Sequence, residues 1–414
     1  MEYVIGCDVG SQSTKAILLS LGGALIGEAA ERYAIDYPHP LWAEQPVERW
    51  TAVDERTKYF LLPGSYVAHY LTGEVALDYS NASSTLLMDV RTKAWSPEMC
   101  QQFRIDTDRL VPIHAATAPL GTLRPEVAEA LGLSQKTLVV VGSGDEHAAC
   151  LSAGIVRPGL VGDIAGTAEP VCAASRQPAF DPTRLVETHC HADPDLWLLE
   201  NPGFVSGGNF RWNRDNFSPL EVRAAAEQNV SPYQLLDAQA ARVPPGAEGV
   251  IFLPCLMGAM APTWNESARG AFFGFTLAHT RDHFTRAILE GSAYAVRDIT
   301  DQMQAIGLEL QELRVVGGRA KSRLWNQIKA DVTGLPVAVP QITETTALGA
   351  ALLALVGVRA CATLTDASER VVRIVERFDP QPSAQATYAE CYQRYRQTYF
   401  SLLPIFEKAA GRNA

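Results

Sequence analysis

The longest apolar run in this sequence, Ala347 to Val358, falls short of the roughly 20 residues that span a bilayer, so it reads as a buried helix. The N-terminus, MEYVIGCDVG, carries neither a basic region nor an extended apolar core and does not read as a signal peptide. Positive charge is in deficit: 35 Lys and Arg face 46 Asp and Glu, a formal net charge of −11. That argues against nucleic-acid and anionic-membrane partners, which require a basic face. The eight cysteines are scattered with no CxxC pair, as expected of free thiols in a reducing cytoplasm. His189-Cys190-His191 is the one metal-like grouping. Strand alternation would send both imidazoles to one face, but no carboxylate or second cysteine pair accompanies them in the sequence, so they read as plain strand residues. Also missing are a GxxxxGK[ST] loop and a GxGxxG turn after a strand. A bound nucleotide would have to be held by another device.

What is present is an ordinary globular mixture, 47% hydrophobic and 20% charged over 414 residues, enough chain for two domains. Tyr3–Cys7, Ala16–Leu19 and Ala24–Ala29 are apolar runs separated by tight small-residue turns, which predicts an antiparallel meander. Gly159–Asp163 and Pro170–Ala174 flank Ala165-Gly166-Thr167-Ala168 in a similar way, so a second hairpin is expected far along the chain. Helical spacing covers 57–71, 143–154 (entered from a strand over 137–141), 281–306 and 322–333, the last with Ser322 as its N-cap. In the tail, Tyr388, Tyr392, Tyr395 and Phe400 form a stripe that reads as packing. No internal repeat, heptad or low-complexity block is visible.

Three Gly-rich turns supply candidate chemistry. The turn after the first strand, Asp8 to Thr14, and that at 165–168 offer backbone N–H groups and hydroxyls to phosphate oxygens. Asp8 suits a hydrated Mg²⁺, which takes few carboxylates. At Val315-Val316-Gly317-Gly318-Arg319-Ala320-Lys321-Ser322 a strand runs through glycines into a helix, leaving bare backbone on which a flat base can lie. Asp145, in Gly142-Ser143-Gly144-Asp145-Glu146-His147, stands at a helix start. There it either accepts a hydroxyl proton or merely caps the helix.

These motifs, in order, resemble the FGGY family of carbohydrate kinases, and within it the xylulokinase-like members. Gly6-x-Asp8-x-Gly10-Ser11-x-Ser13-x-Lys15 is similar to the family's first phosphate motif, and Gly162–Ala168 to its second. Trp42-Ala43-Glu44-Gln45 with Trp50, and Leu71-Thr72-Gly73-Glu74 with Asp78-Tyr79-Ser80-x-Ala82-Ser83, resemble further family segments. So do Gly142–Asp145, Gly270–Gly274, the helix through Arg286 to Gly291, Gly317–Ser322 with Trp325, and Ala347–Ala351. The resemblance implies an α/β, two-lobed actin-like (ribonuclease H-like) ATPase fold with ATP in an inter-lobe cleft. The first lobe would take residues 1–139 completed by a C-terminal helix over 380–414, and the second, ATP-binding lobe 140–379. It implies transfer of the γ-phosphoryl group of MgATP to a ketopentose such as xylulose, in a cytoplasmic enzyme that acts as a homodimer. Asp145 would be the base, in contact with the sugar and, with Asp8, near Mg²⁺. Gly10, Ser11, Gln12, Ser13, Lys15, Gly166 and Thr167 would hold phosphates. Gly317, Gly318, Ala320 and Asn326 would surround the adenosine. Asn209, Phe210 and Arg211 would belong either to the sugar pocket wall or to a domain surface.

The chain departs from the family after Trp50. Thr51–Arg56 leads almost at once to Tyr59–Pro63, so an internal segment on the order of a hundred residues, including sugar-contacting stretches, is missing. Either the segment is deleted or this sequence omits part of a longer one. The strand edges that a deletion would leave unpaired favour omission. With a true deletion, a non-catalytic actin-like nucleotide-binding protein becomes the alternative. Kinases of ribulose, gluconate, rhamnulose or glycerol are the alternatives within the family.

Overall fold

Alternation of buried Val4 and Gly6 with exposed Tyr3, Ile5 and Cys7 gives the first strand one inward face. In the computed structural model, which describes residues 3–9, 13–32, 58–342 and 345–409, this strand is β1 (Tyr3–Val9). It pairs antiparallel with β2 (Ser13–Ser20), which pairs with β3 (Leu25–Arg32), the meander expected from the turns. The register sets Asp8 directly opposite Lys15.

Two short helices matter next. α1 (Tyr79–Ser84) is capped by Asp78, and α2 (Asp145–Ser152) starts after Gly144. α2 begins two residues later than the periodicity suggests because Gly144, at φ −58° and ψ 150°, is non-helical and forms its N-cap. Similarly, the helix expected over 57–71 starts only at Pro63, which takes the first helical position.

The second expected hairpin is present as β4 (Leu160–Ile164) and β5 (Ala168–Ser175). With β6 (Glu187–Cys190), β7 (Trp197–Val205) and, later, β8 (Glu312–Val316), β9 (Val337–Pro340) and β10 (Ile374–Phe378), it forms a seven-stranded sheet ordered β6-β7-β5-β4-β8-β9-β10. The β6-β7-β5-β4 half is antiparallel, β4-β8-β9 is parallel, and β10 returns antiparallel. Between strands lie α3 (Gly207–Phe217), α4 (Pro232–Ala240), α5 (Arg281–Ala305), α6 (Arg323–Thr333) and α7 (Thr345–Gly357); α8 (Pro382–Ala409) closes the chain. Ser322 caps α6 as predicted, its hydroxyl accepting from Trp325 N–H at 3.2 Å.

α7 joins the meander to α2. Its Leu348, Ala351, Leu352 and Leu355 share one core with Val4, Ile17 and Leu19 of the meander and Leu151 of α2. Each leucine contributes about 1.5–3 kcal/mol through burial. Gly6 is required where β1 meets α7, since a Cβ there would lie 2.6 Å from Ala351 N.

The C-terminal helix, expected to complete the first lobe, packs on α5 and α6. Tyr388, Tyr392, Tyr395 and Tyr399 of α8 fill a core with Tyr294 of α5 and Trp325 of α6. Tyr388 also hydrogen-bonds Glu290, which pairs with buried Arg286 at 2.7 Å. Four aromatics on one helix face settle where the largest apolar surface can be covered.

Candidate active site

Asp145 is the first residue of α2, and its side chain is exposed. Its Oδ1 accepts the N–H of Glu146 at 2.8 Å, so the carboxylate does help cap the helix. The turn that carries it is held from α1. Asp78 accepts the N–H of Ser80 at 2.8 Å and of Asn81 at 3.2 Å, as well as the Ser80 hydroxyl. Ser80 Oγ in turn accepts the N–H of Gly144 at 3.2 Å. Burial pushes the Asp78 carboxyl up from its usual range, and these donors pull it back down. The segment Asp78-Tyr79-Ser80-Asn81 therefore buttresses the aspartate. Gly144 is tightly enclosed, since a Cβ there would sit 3.2 Å from His147 Nδ1 and 3.4 Å from Asn81 Oδ1.

A second corner gathers three glycine-bearing segments. The β4–β5 turn exposes Thr167 and half-exposes Gly166, whose N–H bonds Ala168 O at 3.0 Å. The carbonyl of Thr167 accepts N–H bonds from Ser206 (3.2 Å) and Gly208 (3.0 Å) at the start of α3. The junction after β8 closes on the same turn: Arg319 N–H bonds Ala165 O at 3.1 Å, and Gly317, at φ 89°, leaves no room for a Cβ beside that oxygen. Gly318 faces open space. Ala320 is buried, and Asn326, also buried, donates from Nδ2 to Ala320 O at 2.8 Å. Asn326 thus fixes the shape of the turn.

Beneath this corner, Lys329 of α6 reaches both arms of the hairpin, 2.5 Å from Asp163 Oδ2 and 2.7 Å from Glu169 Oε1, with all three side chains almost wholly buried. Burial and the neighbouring Glu169 raise the Asp163 carboxyl to about 8, against the lowering by Lys329. Beside the corner, the Arg319 guanidinium stacks over Tyr233 at 4.0 Å, and burial lifts Asp237 of α4 to about 6.

Of the residues expected at the site, Gly166, Thr167, Gly317, Gly318, Ala320 and Asn326 come together. Asp8 and Lys15 face each other across the first hairpin, and Ser13 opens β2. Gly10, Ser11 and Gln12, like the Trp42–Trp50 stretch, lie outside the described residues. Asn209 and Phe210, expected on a sugar pocket wall or a domain surface, are both buried. Asn209 donates to Pro254 O at 3.2 Å, and Phe210 packs on Trp325 at 5.6 Å and Tyr233 at 5.4 Å. Arg211 is exposed on α3. Sequence reading missed Tyr233, Asp237 and Lys329, because nothing in their local sequence marks helix residues that reach a turn far away in the chain.

The fold is that of the two-domain, actin-like class. Residues 51–152 match the N-terminal domain, and residues 164–358 the C-terminal domain, of the FGGY family of carbohydrate kinases. The chain is 33% identical over 339 residues to an autoinducer-2 kinase of Salmonella paratyphi B, covering 81% of this chain and 63% of the relative. A solved gluconate kinase from Lactobacillus acidophilus aligns with TM-score 0.88 at 19% identity over 98% of this chain and 99% of that one. A xylulose kinase from Rhodospirillum rubrum aligns with TM-score 0.85 at 25% identity over 98% and 100%. The chain belongs to the FGGY family of carbohydrate kinases, and it spans about 63% of the length of the curated relative it matches.

Proposed function

We propose that this protein transfers the γ-phosphoryl group of ATP to a hydroxyl of a small sugar, with Asp145 as the general base. The observation that carries this reading is the exposed Asp145 carboxylate, held at the start of α2 by the Asp78–Ser80–Gly144 chain of hydrogen bonds, in a family of sugar kinases. A carboxylate so fixed is suited to take the hydroxyl proton as the oxygen attacks phosphorus. The Gly166-Thr167 turn and the Gly317–Ala320 junction would receive phosphates and adenosine, assisted by Lys15 from the first hairpin. Asp8 and Asp145 offer hard carboxylate oxygens in accessible positions, which fits Mg²⁺. When bound, the ion neutralises phosphate charge.

For the acceptor, the 33% identity to autoinducer-2 kinases ranks autoinducer-2 ahead of the ketopentose expected from the sequence, with xylulose next and gluconate, ribulose, rhamnulose and glycerol after it. The test is a panel of these acceptors with ATP and Mg²⁺, run on wild type and Asp145→Asn. Phosphorylation of one acceptor, lost in the variant while nucleotide binding persists, is the expected result. Near-normal turnover in Asp145→Asn would remove this residue from the mechanism, and ATP binding without any phosphoryl transfer would favour the non-catalytic reading.

A further inference from the structure

The edge of the large sheet carries a cluster that this phosphoryl transfer does not use. Glu187 of β6 and Glu200 of β7 stand directly opposite one another in the antiparallel register, so their side chains share a face. Like charges so placed repel unless something neutralises them. His189 lies two residues along β6, on that same face. Its Nε2 is 3.1 Å from Glu187 Oε2 and 3.3 Å from Glu200 Oε1, and one ligand atom from each of the three falls within 4.8 Å of the others.

Donors bound to one ion at about 2.0–2.2 Å stand roughly 3.0–3.6 Å apart. The two measured edges fall in that interval. From α2, Glu146 touches Glu200, and the Glu146 Oε1 and Glu200 Oε2 atoms are buried without a hydrogen-bond partner. His147 has its Nε2 buried and unpartnered, and its ring stands edge-on to His189 at 6.1 Å. Glu200 and His147 are only 5% and 4% exposed. No lysine or arginine pairs with Glu146, Glu187 or Glu200 among the described residues. Several carboxylates therefore surround imidazole nitrogens with no fixed cation, and the 41% exposed Glu187 side chain gives entry from solvent.

We propose that Glu187, His189 and Glu200 bind a divalent first-row transition cation, with Zn²⁺ the best match to one imidazole and two carboxylates. The ion ties β6 to β7 and, through Glu146 and His147, braces the first turn of α2 next to Asp145. In the sequence Glu187 stands two residues before His189, a carboxylate the sequence reading passed over, while Glu200 reaches His189 only through strand pairing.

The same positions also suit an imidazolium clamped between two carboxylates with no metal, so the test reads binding itself. The full chain is stripped with EDTA, dialysed, and titrated with Zn²⁺ by calorimetry without ATP or sugar. Bound metal is counted by elemental analysis, and thermal midpoints are recorded with and without Zn²⁺. A single Zn²⁺ per chain is expected, with Zn²⁺ raising the midpoint of wild type. Glu187→Gln, at an exposed position that leaves the fold intact, and His189→Gln should each weaken binding at least about 10-fold and abolish the rise. Absence of Zn²⁺ uptake by wild type overturns the proposal. So does uptake that survives both substitutions, or uptake lost instead in His283→Gln, where His283 and Glu248 form another imidazole–carboxylate pair at 3.3 Å. None of these readouts needs turnover, so they stand apart from failure of the kinase reading.

Discussion

Gly349 of α7 rests directly on Ala148 of α2: a Cβ at position 349 would lie 2.7 Å from Ala148 Cα and overlap its carbonyl oxygen. The helix that carries Asp145 is thereby locked to the helix that also covers β1. Gly349→Val should force the two apart, with a loss of about 1–3 kcal/mol in urea unfolding and a fall in phosphorylation rate. Gly64→Ala, at a site with open space around the added methyl, is the control and should change neither.

Lys329 holds both arms of the β4–β5 hairpin from beneath. Lys329→Met leaves Asp163 and Glu169 buried without their cation, so stability should drop by about 3–5 kcal/mol in chemical denaturation. Where the variant remains folded, the KM for ATP should rise more than that for the acceptor.

Gly318 has no atom near the place a Cβ would occupy. Gly318→Val should therefore fold normally, and its bulk would fall on the surface assigned to adenine. A nucleotide titration should show affinity reduced by at least about 10-fold, equivalent to 1.4 kcal/mol. Unchanged affinity would move the adenosine elsewhere.

Asp237 has its carboxyl raised to about 6 by burial, opposed by Ser322 and Arg319. The folded protein thus holds this proton more tightly than the unfolded chain does. Stability from this group is fully present below about pH 4 and is lost as pH rises through about 6, by no more than about 3 kcal/mol. Asp237→Asn should flatten that segment of the stability-versus-pH curve. An unaltered slope would show that the carboxyl titrates normally.

Glycine spacing, hydroxyl-rich turns and strand alternation are local properties, so the sequence alone determined the opening meander, the 160–175 hairpin, the Ser322 cap and the family. The place of Asp145 at a helix start was legible because its glycine-flanked position is written in adjacent residues. Tertiary structure decided what depends on residues far apart. Lys329 meets Asp163 only because α6 packs beneath a hairpin more than a hundred residues earlier. Glu200 meets His189 only through the β6–β7 register, which strand alternation within one strand cannot reveal. Phe210, expected on a pocket wall or a domain surface, is buried because Trp325 and Tyr233 arrive from other helices. The tyrosine stripe of α8 announced burial, yet only the fold selected which lobe would receive it, since an apolar face specifies that it must be covered and leaves open by what.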